Sequence, residues 1–141
     1  MKLDFPPGFD YVKQDFEKYG YWEKRTTEYI KNNLKKGQIF LDIGGHVGYF
    51  SILASRLGAR VIVFEPSSVN KKFLLENIKN NRCSDIQIIG EALSNKNGTM
   101  KLFTGNTSGE HSLVENYHKG EGFEMVEAVK FDDWNKEARV I

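Results

Sequence analysis

The apolar positions of this chain change period along its length. Short continuous runs at Ile39-Phe40-Leu41 and Val61-Ile62-Val63-Phe64 alternate with longer stretches in which apolar residues recur every three or four positions. Continuous short runs read as strands covered on both faces, and the longer period as helices. A helix is predicted over 22–36, with Trp22, Thr26, Tyr29, Ile30 and Leu34 on one stripe. Lys31, Lys35 and Lys36 crowd its last turn, where the helix dipole favours cations, and Gly37 stops it. A strand over 38–43 follows, then a helix from Val47 to Leu57 with Gly58 as its stop, a strand over 60–65, a helix over 69–80 with Val69, Phe73, Leu74 and Ile78 inward, and a strand over 85–89. Strand-helix-strand-helix-strand requires right-handed crossovers and a parallel sheet, the α/β class.

Beyond residue 90 the pattern changes. Asn97-Gly98 is a hairpin turn signal, and Thr99 to Phe103 reads as a short strand. Residues 104–122 are polar and glycine-rich without period; a loop of that length in a compact domain is often functional. Met125 to Phe131 is expected as a strand antiparallel to 99–103, and Ala138-Arg139-Val140-Ile141 as the opening of another apolar strand. Three core parallel strands plus an antiparallel hairpin addition make an incomplete sheet with an open edge. The expectation is a fragment, a truncated frame or a half-domain completed by a partner, with self-association through the open edge. Residues 1–21 are rich in aromatics and carry Pro6, Pro7, Gly8 and Gly20. They read as an arm packed on the domain of 22–141, or as a lid over its ligand.

Composition narrows the class without naming it. The chain has 141 residues, 28% charged and 40% apolar, enough for one domain with a real core. A net charge of +1 gives no basic groove for nucleic acid and no pull toward a membrane surface. Cys83 is the single cysteine and the N-terminus shows no apolar signal segment, so a reducing, cytoplasmic setting is expected.

The candidate chemistry lies in Ile39-Phe-Leu-Asp42-Ile-Gly44-Gly45-His46-Val-Gly48-Tyr49-Phe50-Ser51, an apolar strand that enters a glycine turn and then a helix. Glycines let the backbone approach a ligand, and the helix start directs N–H groups and partial positive charge at it. Dinucleotide sites use G-x-G-x-x-G, but the aligned residues here are Ile43, Gly45 and Gly48, so the first glycine is missing. Asp42 would also place a negative charge close to a pyrophosphate. S-adenosylmethionine suits the pattern better, because it has no phosphate and carries an ammonium and a sulfonium. Glu65, 17 residues after Gly48 at the next strand end, can accept both ribose hydroxyls, and Glu91-Ala92 at the third strand end can meet the adenine. Individually, Asp42 could be a cap and Glu65 a solvated strand end. Together they occupy three successive strand ends on one sheet edge, where open α/β sheets bind ligands.

At these residues the sequence resembles the FkbM-type methyltransferases of the class I, S-adenosylmethionine-dependent, Rossmann-like fold. The resemblance rests on Phe40 to Ser51, on Val63-Phe-Glu-Pro66 with Asn70, on Glu76-Asn77 and Asn80-Asn81, and on Glu91-Ala-Leu-Ser94 with Gly98; it covers roughly residues 22–141. It implies a methionine-binding loop of Asp42, Gly44, Gly45, His46, Val47 and Gly48, a ribose acid Glu65 followed by Pro66 and Ser67, and an adenine-side segment of Glu91 and Ala92. Gly45 and His46 stand where the family often has Ala and Asn. Phe131-Asp132-Asp133 resembles the strand and turn before the family's fourth core strand, and the Lys-x-Asp-x-Glu-Gly-type strand that follows in the family is not found before Ile141.

The implied reaction is methyl transfer to a small molecule or sugar hydroxyl, which needs in-line alignment and, for a hydroxyl, a base. No catalytic residue is assigned. His111 and His118 read as exposed loop histidines, and with Cys83 they match no metal-ligand spacing, so no metal is expected. Glu110, His111 and Ser112 could border the acceptor. The alternatives are a non-catalytic remnant that binds cofactor or a partner, and an RNA methyltransferase.

Overall fold

The computed structural model describes residues 1–115 and 122–138. In chain order these form α1 (Tyr11–Tyr19), α2 (Lys24–Asn33), β1 (Ile39–Ile43), α3 (Tyr49–Arg56), β2 (Arg60–Phe64), α4 (Ser68–Asn80), β3 (Ile86–Ile89), β4 (Ala92–Leu93), β5 (Gly98–Thr104), β6 (Gly122–Val129) and α5 (Phe131–Ala138). The protein is α/β, with a parallel sheet in the order β1-β2-β3 and a second sheet in the order β4-β6-β5.

β2 is the centre of the parallel sheet, and its burial explains its unbroken apolar run. Val61 and Val63 pack with Ala54, Ala59 and Leu74 on the side of α3 and α4. Ile62 and Phe64 pack on the opposite face with Trp134. The side chains of Val61, Ile62, Val63 and Phe64 are all 0–1% exposed. Burying a Val, Ile or Phe side chain in this way stabilises the fold by about 1.5–3 kcal/mol each. The strands are in register at their carboxyl ends: Ile43 pairs with Phe64, and Phe64 with Ile89. The residues that follow each strand therefore emerge side by side on one edge.

Several expectations change. β1 is not covered on both faces along its length: Ile39 is 38% and Ile43 62% exposed, because among the described residues β1 pairs only with β2. In α2 the buried residues are Thr27 and Ile30, and Tyr29 points outward. In α4 Leu74 is fully buried, but Val69 in the first turn is exposed. Residues 131–133 do not form a strand and turn. They open α5, whose first turn carries Asp132 and Asp133, the charge that a helix start favours. α5 is fixed by Trp134, whose ring meets Phe64 edge-on at 5.0 Å. Residues 139–141, most of the expected final strand, lie outside the described residues.

The second sheet contains the expected antiparallel pair, β5 with β6. Asn97-Gly98, however, does not close a hairpin between neighbours. β6 lies between β4 and β5, running parallel to β4. Val126 and Ala128 of β6 pack against Ala92 and Leu102. Asn97 instead ties the turn to the start of α5: its Oδ1 accepts from Lys130 N at 2.7 Å and its Nδ2 donates to Asp133 Oδ2 at 2.8 Å.

The N-terminal arm contains a helix the sequence pattern did not reveal. Asp10 caps α1 by accepting from Lys13 N at 3.0 Å. Upstream, Asp4 N donates to Asn77 Oδ1 and Asn77 Nδ2 returns a bond to Asp4 O, so the arm is stitched along α4. Phe16 meets the Tyr49 ring edge-on at 5.9 Å.

Candidate cofactor site

The glycine turn joins β1 to α3 and is held against β2. Gly44 N and Gly45 N both donate to Phe64 O, at 2.9 and 3.0 Å. Gly44 has φ +82°, and a side chain there would stand in open space, so the turn leaves a clear face above it. Gly45 faces inward: a Cβ would lie 2.1 Å from Val63 Cγ2, so any side chain there would displace Val63. One position on, His46 adopts φ +52°, a backbone state that side-chain-bearing residues rarely hold.

The acids of the first two strand ends converge on this turn. Asp42 is 9% exposed and accepts from Ser51 Oγ at 2.6 Å. Burial pushes its carboxyl above the ordinary range against the pull of that hydroxyl. Glu65 is 4% exposed; it accepts from Ser67 N at 2.9 Å and His46 N at 2.7 Å. Its carboxyl is also raised, by burial that outweighs these two N–H groups. Glu65 thus links the start of α4 to the glycine turn.

Three adjoining cavities run along the strand ends. One of about 290 Å³ is lined by Asp42, Gly44, Gly45 and His46 with Val12, Trp22, Glu23, Tyr49 and Phe50. A second, of about 110 Å³, is lined by Gly44, His46, Glu65, Pro66, Asn70, Ser108 and His111. A third, of about 170 Å³, is lined by Gly44, Phe64, Pro66, Ala92, Leu93 and Leu113. Gly44 belongs to all three. The cleft therefore passes from the β1 end, over the turn, to Glu65 and on to Ala92.

The other sequence-predicted residues support this cleft without lining these three cavities. Val47 is fully buried and its carbonyl accepts from Asn77 Nδ2 at 2.9 Å. Gly48 is the N-cap position of α3, and Ser67 caps α4. Glu91 is half-buried between β3 and β4; β3 stops at Ile89 and Ala92 opens β4 of the second sheet, so the pair does not form the end of the third parallel strand as expected. His111 is not the exposed histidine expected. It is half-buried between two of the cavities, its Nδ1 accepts from Gly105 N at 3.3 Å, and burial lowers its pKa. His118 lies outside the described residues.

Sequence reasoning missed a cluster of Asp10, His46 and Ser108. His46 Nε2 is 2.7 Å from Ser108 Oγ and 3.2 Å from Asp10 Oδ2, and Ser108 Oγ donates to that same carboxylate oxygen. Burial acts to raise the Asp10 carboxyl, but hydrogen bonds from His46, Ser108 and Lys13 N together outweigh it and hold the pKa at about 2. Both partners meet one imidazole nitrogen, so this is a triangle and not the relay of a nucleophilic triad. It fastens the arm and the 105–110 loop across the turn. Asn70 adds a further tie, donating to Ser108 O at 2.8 Å. Asp10 and Ser108 are 98 residues apart, and only the tertiary fold brings them together.

No known family's sequence model matches the chain, and no curated protein matches it. Solved structures show partial likeness. A precorrin-6y C5,15-methyltransferase from Geobacter metallireducens is 19% identical over 62% of this chain and 43% of its own, with a TM-score of 0.48. A SAM-dependent methyltransferase from Agrobacterium tumefaciens is 23% identical over 49% of this chain and 24% of its own, with a TM-score of 0.46. An rRNA methylase from Streptococcus thermophilus is 12% identical over 49% of this chain and 38% of its own, with a TM-score of 0.47. The matched part thus spans less than half of each of these proteins. Among the described residues, no helix is long and apolar enough to cross a membrane.

Proposed function

We propose that this chain carries the S-adenosylmethionine-binding part of a methyltransferase, of the FkbM type that its motifs resemble, acting on a hydroxyl of a small molecule or sugar. The observation that carries the reading is the run of three cavities that share Gly44 and are lined in turn by Asp42 of β1, Glu65 just after β2 and Ala92 at the start of β4. The methionyl end fits the Asp42 cavity, the ribose hydroxyls fit the Glu65 carboxylate, and the adenine fits the apolar walls of Phe64, Ala92, Leu93 and Leu113. A pyrophosphate would meet two buried carboxylates here, and among the described residues neither Asp42 nor Glu65 has a lysine or arginine in ion-pair range. When bound, the cofactor supplies an activated methyl group. The chain's part is to bind it, to fix its ribose and to shield it with the 105–110 loop.

Isothermal titration of S-adenosylmethionine tests this reading. Wild type should bind it. Glu65→Ala should weaken binding by about 10–100-fold, the loss expected for a charge-assisted pair of hydrogen bonds. A folded wild type that shows no heat, or a Glu65→Ala variant that binds equally well, would reject the assignment.

A further inference from the structure

The cavity of about 290 Å³ at the β1 end has a composition of its own. Its lining residues include the aromatics Trp22, Tyr49 and Phe50 and the acids Glu23 and Asp42. Among the described residues neither carboxylate is in ion-pair range of a basic side chain. His46 also borders the cavity, but it is paired with Asp10. The compartment therefore sets two acids, without a basic partner among the described residues, beside aromatic residues. Aromatic faces and carboxylates together favour a cation, and most strongly a soft, weakly hydrated one.

The wall is also held in place. Thr27, 3% exposed, donates through Oγ1 to Trp22 O at 2.6 Å and lies 3.1 Å from the Tyr49 hydroxyl. Tyr49 is 6% exposed and is wedged between the Phe16 and Phe50 rings. Glu23 accepts from Thr26 Oγ1 at 2.9 Å and sits at φ +42°, which presents it at the head of α2 beside the glycine turn.

We infer that Trp22 and Glu23, which precede the glycine turn in the chain, select the cleft's ligand by charge, holding a sulfonium or alkylammonium centre and discriminating against the neutral thioether. This rests on the cofactor reading above and extends it to product release. In the transfer, the acceptor oxygen forms a bond to the methyl carbon as the carbon–sulfur bond breaks. The electron pair stays on sulfur, the acceptor proton leaves to solvent, and the cation becomes a neutral thioether. The compartment's hold on the ligand falls at that moment.

The test compares S-adenosylmethionine, sinefungin, which carries an amine in place of the sulfonium, and S-adenosylhomocysteine, which keeps the amino-acid ammonium but has an uncharged sulfur, by titration calorimetry. Wild type should prefer the two cationic ligands. Trp22→Leu and Glu23→Gln should each weaken the cationic ligands by about 2–30-fold and leave S-adenosylhomocysteine within about 2-fold. Equal weakening of all three ligands, or an unchanged preference in both variants, would overturn the inference. A second arm uses the trimethylsulfonium ion against tert-butanol, a neutral molecule of similar size, read by the Trp22 indole resonance. Saturable shifts with the cation alone support the cation site even if no adenosyl ligand binds, in which case only the cofactor reading falls. No response to the cation would overturn the site itself.

Discussion

The two sheets of this protein are built on different terms. The parallel sheet has a central strand, β2, buried on both faces, and every side chain from Val61 to Phe64 is closed from solvent. The second sheet is covered on one face. In β6, Val126 and Ala128 are buried while Phe123 and Met125 are 52% and 56% exposed. The cleft lies where the two meet. The parallel sheet supplies its floor at fixed register, through Asp42, Gly44 and Glu65. The second sheet and its loop supply walls, through Leu93, Leu102 and His111. The candidate site's acids thus sit on the sheet buried on both faces, and its enclosure comes from the sheet covered on one.

That contrast should appear first in stability. Leu74→Ala removes a fully buried side chain from the parallel sheet's core and should cost about 3–5 kcal/mol in urea unfolding. Val126→Ala in the second sheet should cost less, about 1–3 kcal/mol, because one face of that sheet can relax toward solvent. Equal costs would erase the distinction between the two layers.

The clasp across the turn should have a smaller effect with a pH signature. Asp10→Asn should cost about 1–2 kcal/mol at neutral pH. The Asp10 carboxyl is held below its ordinary 3.8, at about 2, so its contribution is present above the ordinary value and is lost as pH falls toward 2. The gap in thermal midpoint between wild type and Asp10→Asn should therefore be constant above pH ~4 and close toward pH ~2. Asp42 and Glu65 carry the opposite sign. Their raised carboxyls favour the fold at low pH, and this contribution fades as pH rises from the ordinary carboxyl range into their raised one. A gap that widens on acidification would contradict the clasp. The smallest effect belongs to the outer face of the second sheet, where Met125→Thr should change stability by no more than about 0.5 kcal/mol.

The same contrast explains what the sequence revealed. The strand-helix-strand-helix-strand run was legible because both-face burial leaves an unbroken apolar signature in β2, and because the glycines at 44, 45 and 48 have steric reasons to be glycine. Asp42 and Glu65 could be placed from their positions at strand ends. The second sheet was harder to read. Asn97-Gly98 announces a turn, but its local chemistry cannot say that β6 will slot between β4 and β5. α5 was hidden because Phe131-Asp132-Asp133 satisfies a helix start as well as a turn, and the buried Trp134 that decides it is a tertiary contact. Asp10, Trp22 and Glu23 carry no motif. Their positions at the turn come from the path of residues 10–23, which fold over a segment more than twenty residues further along.

The most direct measurement is a crystal structure of the chain with S-adenosylhomocysteine. The expected arrangement has ribose hydroxyls within hydrogen-bond distance of the Glu65 carboxylate, the amino-acid end over Gly44 beside Asp42, and the adenine against Ala92 and Leu93. A ligand bound away from these strand ends, or a cleft that remains empty at saturating ligand, would contradict it.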